Sequence, residues 1–287
     1  AGDKIDDTFD DSSLPEIPET FKPFIVQLLI DYIPEGKLPE DEIEIQRKRI
    51  IETQNTLLEW LHDNDIKSAE IKLFQFSPSF ALWFDPDHLE KLSKHPLVAK
   101  VDVDRIYSPT LAESIPLIGA NSRNTLTHAQ GEGRYVAVLD SGVDLDNPAF
   151  EGRIGPQACF SSNVRGRLAT LCPAVSPNDP DGQGLGAACT QGYRSCSHGT
   201  HVAGIIGANS ESVIGVAPAV TIMPVQVFTH IPAEFRIGIF GSDIIRALEW
   251  VYEKSKLIDG LDAVNMSLGF RDRFRVCDQE PTKPIID

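Results

Sequence analysis

The sequence predicts two successive units: an α+β domain over residues 21–108, then a doubly wound α/β domain with a parallel sheet over residues 109–287. Three observations carry this. Between residues 21 and 108, apolar runs and one long helical periodicity follow one another in the order β-α-β-β-α-β. From Tyr135 onward, short apolar strands alternate with helical segments, the signature of a parallel sheet covered on both faces. Between two of those strands lies the stretch His-Gly-Thr-His-Val-Ala-Gly-Ile-Ile-Gly, residues 198–207. Its small residues Gly199, Ala203, Gly204 and Gly207 predict a helix held by close backbone packing, since glycine costs a free helix about 1 kcal/mol per position.

Composition narrows the class. A net charge of −16 argues against nucleic acid and anionic membranes as partners. No run of eighteen apolar residues offers a membrane span. Residues 1–20 are rich in Asp, Glu, Ser and Pro and read as a disordered acidic lead-in.

Within the first unit, Phe24 to Ile30 is a continuous apolar run and predicts a buried strand. Pro39 to Asp63 predicts a helix, with Ile43, Ile50, Leu57 and Leu61 on one face. Ile71 and Leu73, then Phe80, Leu82 and Phe84, alternate around the turn Ser77-Pro78-Ser79 and predict two strands. Asp85-Pro86 opens a short helix to about His95, and Val98 to Val103 is the last strand. The order is the ferredoxin-like one. His62, His88 and His95 stand alone on helices or at their ends and read as solvated.

In the second unit, Tyr135 to Leu139 is an apolar strand ending in Asp140-Ser141-Gly142. Thr221 to Phe228 and Leu261 to Ser267 are further strands. Between them Ser242 is placed to cap a helix running to about Lys254, with Ile244, Ile245, Leu248 and Val251 on one face. Pro281 to Asp287 looks like another helix start. In parallel sheets, functional groups gather at the carboxyl ends of strands, where Asp140 lies.

Cys159, Cys172, Cys189 and Cys196 fall in one loop-rich stretch, and Cys277 stands apart. The four fit two local disulfides, with three pairings open. Zinc ranks lower because no Cys-x-x-Cys spacing occurs. Disulfides imply an oxidising, extracellular or periplasmic setting, hence a secreted protein.

An aspartate closing a buried strand and a histidine opening a helix suggest a shared task. A carboxylate bonded to imidazole fixes the tautomer, and the other ring nitrogen can then deprotonate a hydroxyl. The residues that suggest this also carry a resemblance. Val-Ala-Val-Leu-Asp-Ser-Gly-Val-Asp, residues 136–144, resembles the aspartate motif of subtilisin-like serine peptidases. His-Gly-Thr-His-Val-Ala-Gly, residues 198–204, is similar to their histidine motif, and Val-Asn-Met-Ser-Leu-Gly, residues 264–269, to their substrate-binding strand. The order, aspartate before histidine, is the one found in subtilisin.

The resemblance implies the following. Residues 22–108 would be an inhibitory propeptide, and 109–287 the first part of a subtilisin-like catalytic domain. Asp140 would orient His198, and His198 would act as general base. Ser267, Leu268 and Gly269 would line a cleft that takes peptide or protein substrates as an added strand. Arg105, Tyr107 and Ser108 would enter that cleft as a product-like segment, with the cut between Tyr107 and the Leu117 region and Tyr107 in the main specificity pocket. The family's nucleophile opens a later helix within Gly-Thr-Ser-Met-Ala, and this sequence contains no Gly-x-Ser. The serine is therefore expected from a segment outside these residues, downstream or on a second chain, and the 287 residues alone are expected to be inactive. No cofactor is expected. Calcium is not supported, because Ala149 follows Pro148 where an acidic ligand is usual, and Asp179, Asp181 and Gly182 fit a turn better than a full ligand loop. A non-catalytic inhibitor or folding chaperone, and one chain of a split peptidase, are the alternatives.

Overall fold

The computed structural model describes residues 17–109, 130–173, 185–189, 193–269 and 281–286. The connector at 110–129, Asp179 to Gly182 and Cys277 lie outside the described residues.

The first unit runs β1 (Lys22–Leu28), α1 (Glu40–Asp63), β2 (Ser68–Leu73), β3 (Ser79–Phe84), α2 (Leu89–Ser93) and β4 (Val98–Val103). Its sheet has the order β2-β3-β1-β4, with every neighbouring pair antiparallel. One face takes α1, whose Ile50, Leu57 and Leu61 pack on Phe24, Val26, Phe80, Leu82 and Phe84. Gln54 sits fully buried in that layer because its amide donates to the carbonyls of Phe74 and Ser79 at 2.8 and 2.9 Å.

The other face of this sheet is covered too. Every residue of β3 is buried, Phe80, Leu82 and Phe84 toward α1, and Ala81 and Trp83 toward the second unit. That is why β3 reads as a continuous apolar run from Phe80 to Phe84. One expectation fails here. Ile71 and Leu73 were read as the apolar face of β2, yet each is 44% exposed. The backbone of Glu70 has φ 47°, and the register shifts between Ala69 and Lys72. A bulge turns the strand over, so Lys72 points into the interface instead.

β5 (Ile106–Pro109) leads out of the first unit. The second unit contains β6 (Tyr135–Asp140), β7 (Ala158–Cys159), β8 (Ala169–Thr170), α3 (His198–Gly207), β9 (Thr221–Gln226), β10 (Thr229–Ile231), β11 (Arg236–Phe240), α4 (Gly241–Ser255), β12 (Leu261–Asn265), β13 (Leu268–Gly269) and α5 (Lys283–Ile286). A parallel sheet has the order β12-β6-β9-β7. Along β6 the side chains alternate: Val138 packs with Val202 and Ala203 of α3, and Ala137 and Leu139 with Ile244 and Leu248 of α4. The two helices thus cover opposite faces, as a doubly wound sheet requires. β12 is an edge strand, and Val264 on it is 39% exposed.

A second, antiparallel sheet has the order β13-β5-β11-β10-β8. The sequence reading missed β10 and β11. They form a short hairpin, and the turn between them holds Phe235 in the left-handed region at φ 50°. No helix among the described residues is long and apolar enough to cross a membrane.

Candidate active site

The β6 strand ends at Asp140, which is fully buried. The next residues turn away under tight control. Ser141 N–H donates to Asp140 Oδ1 at 2.7 Å, and Val227 N–H donates to the Asp140 carbonyl at 3.0 Å. Gly142 has φ +83°, and a Cβ there would lie 2.0 Å from the Ala187 carbonyl oxygen. Only glycine permits both that backbone angle and that approach.

His198 is the first residue of α3, following a short 3₁₀ turn over Arg194–Ser197. Its Nδ1 lies 2.7 Å from Asp140 Oδ1, and both side chains are buried. The helix start is fixed from two sides. Gly199 N–H donates to Ser141 Oγ at 3.0 Å, and Ser141 Oγ donates to the Cys196 carbonyl at 3.2 Å. The Cys189–Cys196 disulfide closes the segment just before the histidine, and Cys189 N–H donates to the Ser141 carbonyl at 3.2 Å. Thr200 Oγ1 accepts from Asp144 N–H at 2.9 Å.

Gly199 is where the close packing matters most. A Cβ there would sit 2.2 Å from the Gly142 carbonyl oxygen and 3.1 Å from Asp140 Oδ1. Gly207 likewise faces Val220, at 2.8 Å. Gly204 departs from the expected small face, with no heavy atom within 4 Å of its missing Cβ. Among the described residues, neither His198 Nε2 nor Asp140 Oδ2 has a hydrogen-bond partner, although both are buried. A buried nitrogen left unpaired is costly. This one belongs to an imidazole already oriented through Nδ1, an arrangement that can accept a proton from a group presented at Nε2.

Of the three pairing schemes open to the four cysteines, one is realised. Cys159 pairs with Cys172 and Cys189 with Cys196. Leu268 and Gly269 form β13, whereas Ser267 lies between β12 and β13 and its hydroxyl donates to Asn265 Oδ1 at 3.0 Å. β5 runs between β13 and β11. It sets Ser108 opposite Gly269, Pro109 opposite Leu268, Tyr107 opposite Ile239 and Ile106 opposite Phe240. Arg105 anchors the segment through its carbonyl, which accepts from Gly241 N–H at 3.2 Å.

A polar cluster beside β5 has no local signature in the sequence. Asp104 caps α4 from outside: its Oδ1 accepts from Ser242 N–H at 3.1 Å, and its Oδ2 accepts from Ser242 Oγ. Ser242 was expected to be the cap; it lies one residue inside the helix and is itself held by the acid. Lys72 Nζ reaches Asp243 Oδ1 at 2.7 Å, Ser162 Oγ at 2.8 Å and Ser242 Oγ at 3.0 Å. Glu249 Oε1 accepts from Phe76 N–H at 2.7 Å. Burial pushes the Glu249 carboxyl up to about 7 against the backbone N–H donors of Phe76, Gln75 and Ser77 and the charge of Arg246. Burial also pushes Asp104 up to about 6, opposed by Lys72 and Ser242 and assisted by the charge of Asp243. Only three-dimensional docking brings these residues together; Lys72 and Asp243 are 171 positions apart.

Among the described residues, no three His, Cys, Asp or Glu side chains gather as a metal site. At the position considered for calcium, the Ala149 carbonyl accepts from Asn209 N–H at 2.9 Å and also binds the Arg153 guanidinium.

Comparison with known proteins follows the same lines. The model of the subtilase family matches residues 131–283. Subtilisin E of Bacillus subtilis is 32% identical over 203 residues, which take in 69% of this chain and 44% of that protein. The alkaline protease of Shouchella clausii is 29% identical over 215 residues, covering 71% of this chain and 45% of its own. The chain thus spans less than half the length of these curated relatives. The crystal structure of fervidolysin from Fervidobacterium pennivorans, a keratinolytic enzyme related to subtilisin, superposes with a TM-score of 0.54 at 18% identity, over 96% of this chain and 41% of fervidolysin.

Proposed function

The chain belongs to the subtilase family, and on that premise we propose that it is part of a secreted serine endopeptidase precursor that hydrolyses peptide bonds with an Asp-His-Ser triad. The observation that carries this is the buried Asp140–His198 pair, joined at 2.7 Å through Nδ1 with Nε2 left unpartnered. Asp140 holds the tautomer and stabilises the imidazolium. His198 takes the proton from a serine hydroxyl presented at Nε2. The serine comes from polypeptide outside these 287 residues, since no Gly-x-Ser occurs in them. The half-exposed edge strand β12 supports a complementing segment there.

Residues 22–108 act as the inhibitory propeptide. Their β-α-β-β-α-β order with an antiparallel sheet supports the ferredoxin-like reading. β5 lies in the cleft as a peptide substrate would, paired on both edges by β11 and by Leu268 and Gly269 of β13. The pairing continues to Pro109, opposite Leu268, which favours a maturation cut beyond it. The two disulfides support an oxidising compartment.

The test uses the full-length gene product. A fluorophosphonate probe should label it but not the 287-residue chain alone, and Asp140→Asn should lower turnover by about 10⁴-fold while leaving the fold intact. N-terminal sequencing of the matured form should find a cut between residues 109 and 118. Labelling of a serine within residues 1–287 would overturn the assignment of the nucleophile.

A further inference from the structure

Gly238 occupies a special place opposite β5. A Cβ at this position would lie 2.4 Å from Ile106 Cγ2, and 3.2 Å from Ile231 Cδ1 and from an Arg236 guanidinium nitrogen. The branch of Ile106 fills the space that the missing side chain leaves. Ile106 is partly buried and packs against a buried apolar cluster that contains Val164, Leu168, Ile231 and Phe240. Ile231 and Phe240 come from β10 and β11. Val164 and Leu168 come from the insert closed by Cys159–Cys172.

That insert is held rigidly. Val164 N–H donates to the Leu168 carbonyl at 3.0 Å, and Leu168 N–H to the Val164 carbonyl at 2.8 Å. Ala169 and Thr170 then pair with His230 and Thr229 of β10. The disulfide, the insert, β10 and β11 therefore form one wall, and β5 lies along its free edge. From the other side the pocket is closed by Trp83 and Phe21, which belong to the N-terminal unit and would leave with it.

We propose that Gly238 and the disulfide-closed insert form an apolar subsite selecting peptides with a β-branched aliphatic residue, Ile or Val, at the position that Ile106 occupies here. This rests on the reading of β5 as a substrate-like strand. The pairing with β11 supplies backbone hydrogen bonds that any sequence can make. Selection must come from side-chain pockets, and this one is lined by apolar side chains, shaped by a missing Cβ, and fixed by a covalent loop. A peptide with glycine at that position leaves Val164, Leu168 and Ile231 facing a void, and one with asparagine buries an unpaired amide there.

Two measurements decide it. In the full chain, amide hydrogen exchange of residues 106–108 is followed for Ile106→Val, Ile106→Asn and Gly238→Val, with residues 135–140 as the control for an intact fold. Ile106→Val should keep the wild-type protection. Ile106→Asn and Gly238→Val should lose about tenfold or more. Equal protection in all of them overturns the subsite. On the matured full-length product, a peptide series copying residues 102–118, which spans the expected cut, with Ile, Val, Gly or Asn at the one position should show kcat/KM about tenfold higher for Ile and Val, and Gly238→Val should erase that preference. Cleavage without preference overturns the proposal. Absence of any cleavage defeats the peptidase reading instead, and the exchange result then judges the subsite by itself.

Discussion

At the scale of single residues, the site depends on atoms that are not there. Gly199 lets α3 begin against the turn after β6, and the Asp140–His198 distance of 2.7 Å follows from that approach. Gly199→Ala would place a methyl 2.2 Å from the Gly142 carbonyl oxygen, a backbone atom that cannot swing aside. We expect it to destabilise the protein by about 1–3 kcal/mol, read as a lower urea midpoint, and to part the two side chains. An unchanged midpoint would mean that the turn yields without cost. Asp140 and His198 were legible in the sequence because each sits in a short local pattern, a strand running into Asp-Ser-Gly and a histidine opening a run of small residues. Ser141 was not, although it stands in the same motif. Its role is to accept from Gly199 N–H and donate to the Cys196 carbonyl, and both partners are at least 55 positions away.

At the scale of elements, α4 is where the two units are joined. Its first N–H groups have no partner within the helix and its dipole end is positive; the Arg105 carbonyl takes Gly241 N–H, and Asp104 takes Ser242 N–H as the cap. Lys72, 12% exposed at its side chain, meets the fully buried Asp243 two residues into the same turn. Lys72→Met would leave the Asp243 carboxylate buried with Ser162 Oγ, at 2.7 Å, as its remaining side-chain donor among the described residues. Stranding a buried charge costs about 3–5 kcal/mol, so the urea midpoint should fall sharply. The double variant Lys72→Met, Asp243→Asn should recover most of the loss; failure to recover would show that Lys72 acts through packing on the Phe240 ring, 5.9 Å away. The helices, three of the four strands of the parallel sheet and the order of the first unit were readable from hydrophobic periodicity, because each buries one face against a neighbour; the two-residue β7, within the cysteine-bearing loop, was not. What defeated that reading was local: the bulge at Glu70, which reverses Ile71, Lys72 and Leu73, and the brief strands β10 and β11, too short for a period to declare itself.

At the scale of the whole molecule, the docked units share an interface that holds carboxyls against their preference, and pH should register it. Glu249 has its carboxyl raised from 4.5 to about 7, and Asp104 from 3.8 to about 6, in both cases mainly by burial. A carboxyl whose pKa is raised in the folded state binds its proton more tightly there than in the unfolded chain. The associated stability is then fully present below the unfolded pKa and is lost as pH rises through the folded one. For Glu249 that window runs from about 4.5 to about 7, and the loss across it is on the order of 3 kcal/mol. The full chain should therefore resist urea better at pH 5 than at pH 8. Glu249→Gln keeps an acceptor for Phe76 N–H and removes the titration, so it should flatten the slope above pH 5 while leaving the low-pH midpoint close to the wild-type value. Asp104→Asn should flatten the part between about 4 and about 6, with a lower midpoint throughout, since it also weakens the cap on α4. A wild-type midpoint that rises from pH 5 to pH 8 would show that the backbone donors around Glu249 outweigh its burial. The interface would then tighten, not loosen, as the carboxyl ionises.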